Sequence, residues 1–214
     1  MPRQAVMFDL DGTLIDALRD IAESANRVLS HYGLPTISLD RYRYLVGQGA
    51  EHLIRQALGP DHQDKLSEAL PLYRSYYVHH MYDHTRPYEG IPELLDALQA
   101  RGVRLAVLSN KPHGATVQIV GRLLERWRFD QVYGQRDSVP IKPDPAAAIQ
   151  IAQSMAIPPD QWLYVGDTRV DMLTGKAAGM FTVGVTWGFR PEAELRESHA
   201  DAIIHQPLQL LEWL

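Results

Sequence analysis

The 214-residue sequence contains no cysteine. Without thiols the chain can form no disulfide, no cysteine-ligated zinc site and no thiolate nucleophile, so oxygen and imidazole ligands remain for a metal. It also lacks any apolar run of about 18 to 20 residues, the length that a membrane-spanning helix needs. The apolar stretch 5–10 is interrupted by Asp9 and is too short for a signal peptide. We therefore expect a cytoplasmic protein with no membrane partner.

Positive charge is scarce and scattered. The chain has 21 Lys and Arg against 26 Asp and Glu, which gives a formal net charge of -5, and it has no block of basic residues. Because the phosphate backbone of nucleic acid rewards clustered cations, we expect no nucleic-acid partner. An anionic substrate would have to be attracted by local cations or a bound metal, since the overall field does not attract it.

The composition that is present belongs to an ordinary globular chain, with 45% hydrophobic residues and enough length for one core and a small inserted subdomain. Short β-branched-rich runs alternate with longer amphipathic ones, which is typical of a parallel sheet covered by helices on both faces. The sequence therefore predicts a doubly wound α/β core. Its strands are expected at 5–10, 103–108, 132–133, 162–165 and 182–185, and its helices at 92–101, 114–127, 145–155 and 171–179.

Residues 17–84 break this alternation. Apolar residues recur there with helical spacing, and glycine or proline ends two of the runs, which predicts helices around 18–32, 51–58 and 66–81. An insert after the first strand of such a core would lie above the carboxyl ends of the strands, where open sheets bind ligands. We predict a core of residues 1–16 and 85–214 and an all-helical cap of residues 17–84.

The strongest local signal is the pair Asp9 and Asp11, which ends an apolar strand and is followed by a turn at Gly12. Both carboxylates would lie at one edge of the sheet, where they repel each other and resist burial. Mg²⁺ relieves this repulsion because it takes carboxylate and phosphate oxygens as ligands. Taken alone, the motif fits a plain strand-end turn equally well.

Three further segments carry polar or charged side chains that follow strands or precede a helix. Each has an ordinary alternative, as a helix cap, a charge at a helix start or a surface lysine. Their joint order is much harder to produce by chance. Together they supply groups suited to phosphate oxygens and two more acids: Ser109, Asn110, Lys111, Lys142, Asp167 and Asp171.

In this order, the four segments resemble the four motifs of the haloacid dehalogenase superfamily, and the resemblance covers nearly the whole chain. The helical insert resembles the type 1 cap of that family. The chain departs from the common pattern at Ser109, where threonine is usual, and at Ala17, where serine is usual. Within the superfamily it is most similar to the phosphoglycolate phosphatases, through Gly47-x-Gly49, Pro87-Tyr88-x-Gly90 and Trp187-Gly188.

The resemblance implies a Mg²⁺-dependent phosphatase that acts on a small phosphorylated metabolite, with 2-phosphoglycolate as the preferred candidate. Asp9 would form an aspartyl-phosphate and Asp11 would act as general acid and base. Ser109 and Lys142 would hold the transferring group. The metal would be bound by Asp9, by Asp11 through its backbone carbonyl, and by Asp167 and Asp171. Further substrate contacts are expected from Thr13, Asn110 and Lys111. In the insert, Arg43, Gly47 and Gly49 are candidates to contact a carboxylate at the end of the substrate remote from the phosphate, and a plain turn fits Gly47-x-Gly49 equally well.

Two alternatives remain open. A phosphomutase of the β-phosphoglucomutase type would keep the chemistry, although such enzymes usually show Glu-Asp where this chain has Gly166-Asp167. A catalytically silent binding protein would keep the fold, because filled motifs do not establish turnover. A dehalogenase is disfavoured, since in that branch of the superfamily the second acid, here Asp11, is missing. The sequence fits either a monomer or a homodimer.

Overall fold

A six-stranded, fully parallel sheet lies at the centre of the computed structural model, which describes residues 3–214. In spatial order its strands are β5 (Gln131–Gln135), β4 (Arg104–Pro112), β1 (Ala5–Phe8), β6 (Trp162–Gly166), β7 (Phe181–Val185) and β8 (Ala202–Ile204). Two short strands, β2 (Ile15–Asp16) and β3 (Arg86–Pro87), pair with each other outside it.

Helices follow most strands of the sheet, and four more lie between β2 and β3. No helix within residues 3–214 combines the length and the apolar character needed to cross a bilayer. The core helices are α5 Ile91–Ala100, α6 His113–Leu123, α7 Ala146–Ser154, α8 Arg169–Ala177 and α9 Glu192–Glu197. The four inserted helices are α1 Leu18–His31, α2 Leu39–Leu45, α3 Gly49–Leu58 and α4 Leu66–His80. Short 3₁₀ helices occupy Pro60–Lys65, Pro159–Gln161 and Pro207–Trp213.

Strand β1 is buried on both faces, which explains its uninterrupted apolar sequence. Val6 and Phe8 point to one side and join the large core that also includes the inserted helices. Ala5 and Met7 point to the other side and pack in a smaller core with α7 and with Trp162. Successive side chains of a strand point to opposite faces, so one four-residue segment serves both layers.

The predicted fold class is confirmed, since a parallel sheet is flanked by helices on both sides. Some boundaries differ from the predicted ones. Strand β4 continues to Pro112, beyond the predicted end at 108, and α6 ends at Leu123 rather than at 127. The sequence did not predict α2, α9 or β8, which have seven, six and three residues and are too short to show a clear periodicity.

The two chain segments that connect the inserted helices to the sheet are bound to each other. Beyond the β2–β3 pairing, the buried carboxylate of Asp20 on α1 accepts hydrogen bonds from the segment that returns to the core. The donors are the backbone N–H of His84 at 2.9 Å and both the backbone N–H and the hydroxyl of Thr85, at 2.9 and 2.6 Å. A single side chain therefore satisfies three donors where the chain enters and leaves the insert.

We predict that Asp20→Ala lowers the free energy of unfolding by about 3 kcal/mol, because it leaves buried donors of Thr85 without an acceptor. Urea unfolding monitored by circular dichroism measures this loss. The matched control is Asp40→Ala. Because the Asp40 side chain is 97% exposed, its removal should change the free energy of unfolding by less than about 0.5 kcal/mol. Equal stabilities of the two variants would contradict the assigned role of Asp20.

Candidate active site

Four polar segments converge at the carboxyl edge of the sheet. Strand β1 lies between β4 and β6 in parallel register, with Phe8 opposite both Val107 and Val165. Asp9, which follows Phe8, is therefore adjacent to the ends of both neighbouring strands. The end of β4 carries the predicted residues 109–111, and Asp167 follows β6 directly. The sequence-predicted candidates thus come from chain segments far apart and meet beside Asp9.

Three buried acids form a cluster at this edge. Asp9, Asp167 and Asp171 are 7%, 0% and 1% exposed, and each places a carboxylate oxygen within 4.8 Å of the others. Burial raises the pKa of Asp9 from 3.8 to about 7; Lys142 opposes this rise and Asp171 adds to it. Burial also raises the pKa of Asp167 well above its usual range, with Asp171 and Asp9 contributing. An all-oxygen donor set of buried acids suits a hard divalent cation.

Lys142 is the cation that binds two of these acids. Its Nζ lies 2.8 Å from Asp9 Oδ1 and 2.7 Å from Asp171 Oδ1, and it donates to the backbone oxygen of Leu108 at 3.1 Å. Burial favours the neutral amine, but Asp171 and Asp9 outweigh it and raise the pKa of Lys142 well above its usual range. The side chain is therefore a fixed ammonium that contacts the candidate nucleophile.

Asn110 holds the loop that carries Lys142. Its Oδ1 accepts from the backbone N–H of Lys142 at 2.9 Å, and its Nδ2 donates to the backbone oxygen of Lys142 at 3.0 Å. The same Nδ2 donates to the backbone oxygen of Gly47 in the insert, at 2.9 Å. The sequence suggested a substrate contact for Asn110, and the structure gives its amide these backbone partners.

Lys111 and Asp11 form a second ion pair at the site. Lys111 Nζ lies 2.8 and 2.7 Å from the two carboxylate oxygens of Asp11, and both side chains are nearly buried. The same ammonium lies 4.7 Å from the ring centre of Tyr77 on α4, which is a cation–π distance. The carboxylate of Asp11 is thus separate from the three-acid cluster, and a role for its backbone carbonyl in metal binding stays a prediction.

Two loops close directly against Asp167. Its Oδ2 accepts from the backbone N–H of Phe189 at 2.7 Å, and its Oδ1 accepts from the hydroxyl of Thr13 at 3.4 Å. A Cβ at Gly12, where φ is 89°, would lie 2.3 Å from Asp167 Oδ2, and one at Gly188 would lie 2.3 Å from its Cβ. Sequence reasoning did not find Phe189 or the role of Gly188; the Trp187-Gly188 pair after the last predicted strand was the available signal.

Asp171 both caps a helix and belongs to the acid cluster, and the sequence had left open which of these two positions it takes. Its Oδ2 accepts from the backbone N–H and hydroxyl of Thr168 at 3.1 and 2.8 Å, which forms a capping box at the start of α8. Its Oδ1 binds Lys142. The hydrogen bonds that cap α8 therefore also fix the position of the Asp171 carboxylate in the cluster.

A cavity of about 240 Å³ opens between this edge and the inserted helices. Asp9, Asp11 and Ser109 line it from the core, and Gly47 and Gly49 line it from the insert. Two predicted substrate contacts are not among its lining residues. Thr13 bonds to Asp167, and the guanidinium of Arg43 donates to the backbone oxygen of Gly188 at 3.3 Å.

Comparison with known proteins identifies the class to which this site belongs. Residues 6–185 match the model of the haloacid dehalogenase-like hydrolase family. The chain therefore belongs to this hydrolase family, as its four motifs predicted.

Two relatives of the chain are phosphoglycolate phosphatases. A phosphoglycolate phosphatase of Pseudomonas putida is 40% identical over 199 residues, covering 88% of this chain and 71% of the relative. A phosphoglycolate phosphatase of Nitrosospira multiformis is 35% identical over 210 residues, covering 95% and 92%. The predicted similarity to the phosphoglycolate phosphatases is confirmed.

Solved structures share the fold over the full length. A protein from Lactobacillus delbrueckii subsp. bulgaricus matches with a TM-score of 0.93 at 27% identity, covering 99% of this chain and 98% of that one. A haloacid dehalogenase-like family hydrolase from Streptococcus pneumoniae matches with a TM-score of 0.90 at 28% identity and the same coverage. Both the sheet and the inserted helices therefore fall within the architecture of the family.

We predict that the cation-free protein loses stability as the pH rises from about 4 to about 7, because in this range folded Asp9 retains a proton that the unfolded chain releases. Asp167 acts in the same direction. Urea unfolding in the presence of a chelator, at about pH 5 and about pH 7.5, measures the change. Asp9→Asn should show a shallower pH dependence, and a wild-type protein that gains stability over this range would refute the prediction.

Proposed function

We propose that this protein is a Mg²⁺-dependent phosphatase that hydrolyses a small phosphate monoester, and we favour 2-phosphoglycolate as its substrate. One observation carries the proposal: the Asp9 carboxylate lines a cavity of metabolite size while its Oδ1 lies 2.8 Å from the buried ammonium of Lys142. Phosphoglycolate phosphatases at 35% to 40% identity support the choice of substrate. No comparable observation favours a phosphomutase.

Asp9 is the proposed nucleophile. One of its oxygens attacks phosphorus, forming an aspartyl-phosphate, which is a mixed anhydride, as the bond from phosphorus to the leaving oxygen breaks. Water then attacks the same phosphorus, the bond to Asp9 breaks, and inorganic phosphate leaves with the free carboxylate restored. Splitting the hydrolysis in this way replaces one slow displacement by two easier ones.

Asp11 is the proposed general acid and base. It lines the same cavity as Asp9 and is held there by both short contacts to Lys111. In the first step it would give its proton to the departing oxygen, and in the second it would take a proton from the attacking water. Ser109 and Lys142 would hold the transferring phosphoryl oxygens, because the charge of a loose transition state spreads over them.

Asp9, Asp167 and Asp171 are the proposed ligands of Mg²⁺, with the backbone carbonyl of Asp11. The carboxylates fit that ion because they are buried, close together and offer oxygen alone. When bound, the ion would neutralise the site and polarise the phosphoryl oxygens. Phe189 and Thr13 orient Asp167, while Thr168 orients Asp171.

We predict that Asp9→Asn lowers kcat for 2-phosphoglycolate by about a thousandfold or more, because an amide oxygen cannot carry the covalent intermediate. Release of inorganic phosphate in the presence of Mg²⁺ measures the effect. Asp64→Asn removes an exposed carboxylate outside the cavity lining and should keep wild-type activity. Persistent turnover by Asp9→Asn would refute the nucleophile. Conversion of a sugar phosphate without phosphate release would instead indicate a mutase.

We also predict that Mg²⁺ stabilises the wild-type protein against heat and stabilises Asp167→Asn much less. A ligand at a hundred times its Kd adds about 2.7 kcal/mol to the free energy of unfolding, and losing one carboxylate ligand weakens that binding. Thermal unfolding with and without Mg²⁺ measures the effect independently of activity. Asp64→Asn should respond like the wild type, and an equal response from Asp167→Asn would argue against this metal site.

A further inference from the structure

The basic side chains that line the cavity differ in whether another residue pairs with them. Two basic side chains line it, Lys111 from the core and Arg74 from the insert. Lys111 is already paired with both oxygens of Asp11. Arg74, in contrast, makes no ion pair or side-chain hydrogen bond with any residue in the range 3–214. A cation without a protein partner therefore faces a cavity that also contains the candidate nucleophile.

The position of Arg74 on its helix explains this orientation. Tyr73, Arg74, Tyr77 and Val78 all belong to α4 and all line the cavity. Residues four apart lie on the same face of a helix, so Arg74 stands one turn before Val78 and next to the buried Tyr73–Tyr77 pair. Arg74 itself is exposed, which places it at the opening of the cavity rather than in its depth.

The remaining wall on the insert side is largely apolar, with Ile21, Val46 and Leu53 among its side chains. A guanidinium beside such a wall interacts more strongly with an anion than it would in bulk water. The chain carries a formal net charge of -5, so it offers an anionic metabolite no general attraction and must rely on such local cations. The volume of about 240 Å³ accommodates a small metabolite.

We propose that Arg74 is a specificity-determining residue that binds a carboxylate at the end of the substrate remote from the phosphate. The planar guanidinium can bind a carboxylate through two parallel hydrogen bonds, which gives direction as well as charge. This inference rests on the proposed phosphatase function and adds the residue that recognises the carboxylate of the favoured substrate. It assigns the role to Arg74 rather than to Arg43, whose guanidinium is bonded to Gly188 outside the cavity lining.

The test compares two phosphate monoesters that differ in this group, 2-phosphoglycolate and ethyl phosphate. The measured quantity is kcat/KM for 2-phosphoglycolate divided by kcat/KM for ethyl phosphate. We expect Arg74→Gln to lower this ratio by about 10- to 100-fold, through a higher KM for 2-phosphoglycolate. Arg74→Lys keeps the charge but loses the paired hydrogen bonds, and it should retain an intermediate ratio. Thermal unfolding of each variant checks that the exposed substitution leaves the fold intact.

Arg27→Gln is the matched control. Arg27 is an exposed arginine on α1, also without an ion pair in the described part of the chain, and it does not line the cavity. Its loss changes the net charge by the same amount, so it should leave the substrate ratio at the wild-type value. A fall as large as that of Arg74→Gln would show a general electrostatic effect and overturn the proposal.

The remaining outcomes separate this inference from the proposed function. If the wild-type protein hydrolyses both esters equally well, or if Arg74→Gln leaves their ratio unchanged, the carboxylate site is refuted while the phosphatase stands. If the wild-type protein hydrolyses neither these esters nor an aryl phosphate with Mg²⁺ present, the phosphatase proposal fails and the role of Arg74 fails with it.

Discussion

Burial of three carboxylates around one ammonium is the constraint on which the rest of the site depends. Asp9, Asp167 and Asp171 are removed from water almost completely, and Lys142 contacts two of them at hydrogen-bond distance. Removing one partner from such a cluster costs several kcal/mol, of order 3 to 5, because it leaves an uncompensated buried charge. The surrounding structure must therefore hold every member in place, and much of the local sequence serves that purpose.

The parallel sheet accomplishes this by bringing distant chain segments to one edge. Because β1 is paired in register with β4 and β6, Asp9 and Asp167 stand at adjacent strand ends. Backbone N–H groups also donate hydrogen bonds to these carboxylates, as the N–H of Phe189 does to Asp167. Glycines at 12 and 188 allow the loops to approach, since a Cβ at either position would overlap that carboxylate. Sheet register and close loop packing together create the acid cluster.

Much of this arrangement could be predicted from the sequence, because the polar residues of the site directly follow the apolar runs that indicate the strands. Apolar runs that stop at Asp9, Ser109 and Asp167 indicate both the strands and the edge at which they meet. The roles of Asn110 and Arg74 could not be predicted in the same way. Asn110 binds backbone groups of two distant segments, and the direction of Arg74 depends on how α4 packs against α1 and α3. Such information lies in tertiary packing rather than in periodicity.

Asn110 also couples the insert to Lys142, the buried lysine that contacts Asp9. Its Nδ2 donates both to the backbone oxygen of Gly47 and to that of Lys142. One amide group therefore holds both the insert and the loop that carries the ammonium. Two arginines add contacts around the same insert segment: Arg190 donates to the backbone oxygen of Val46, and Arg43 to that of Gly188. Displacing the insert would break these hydrogen bonds together. The position of the insert and the alignment of Lys142 with Asp9 are therefore linked through the same few atoms.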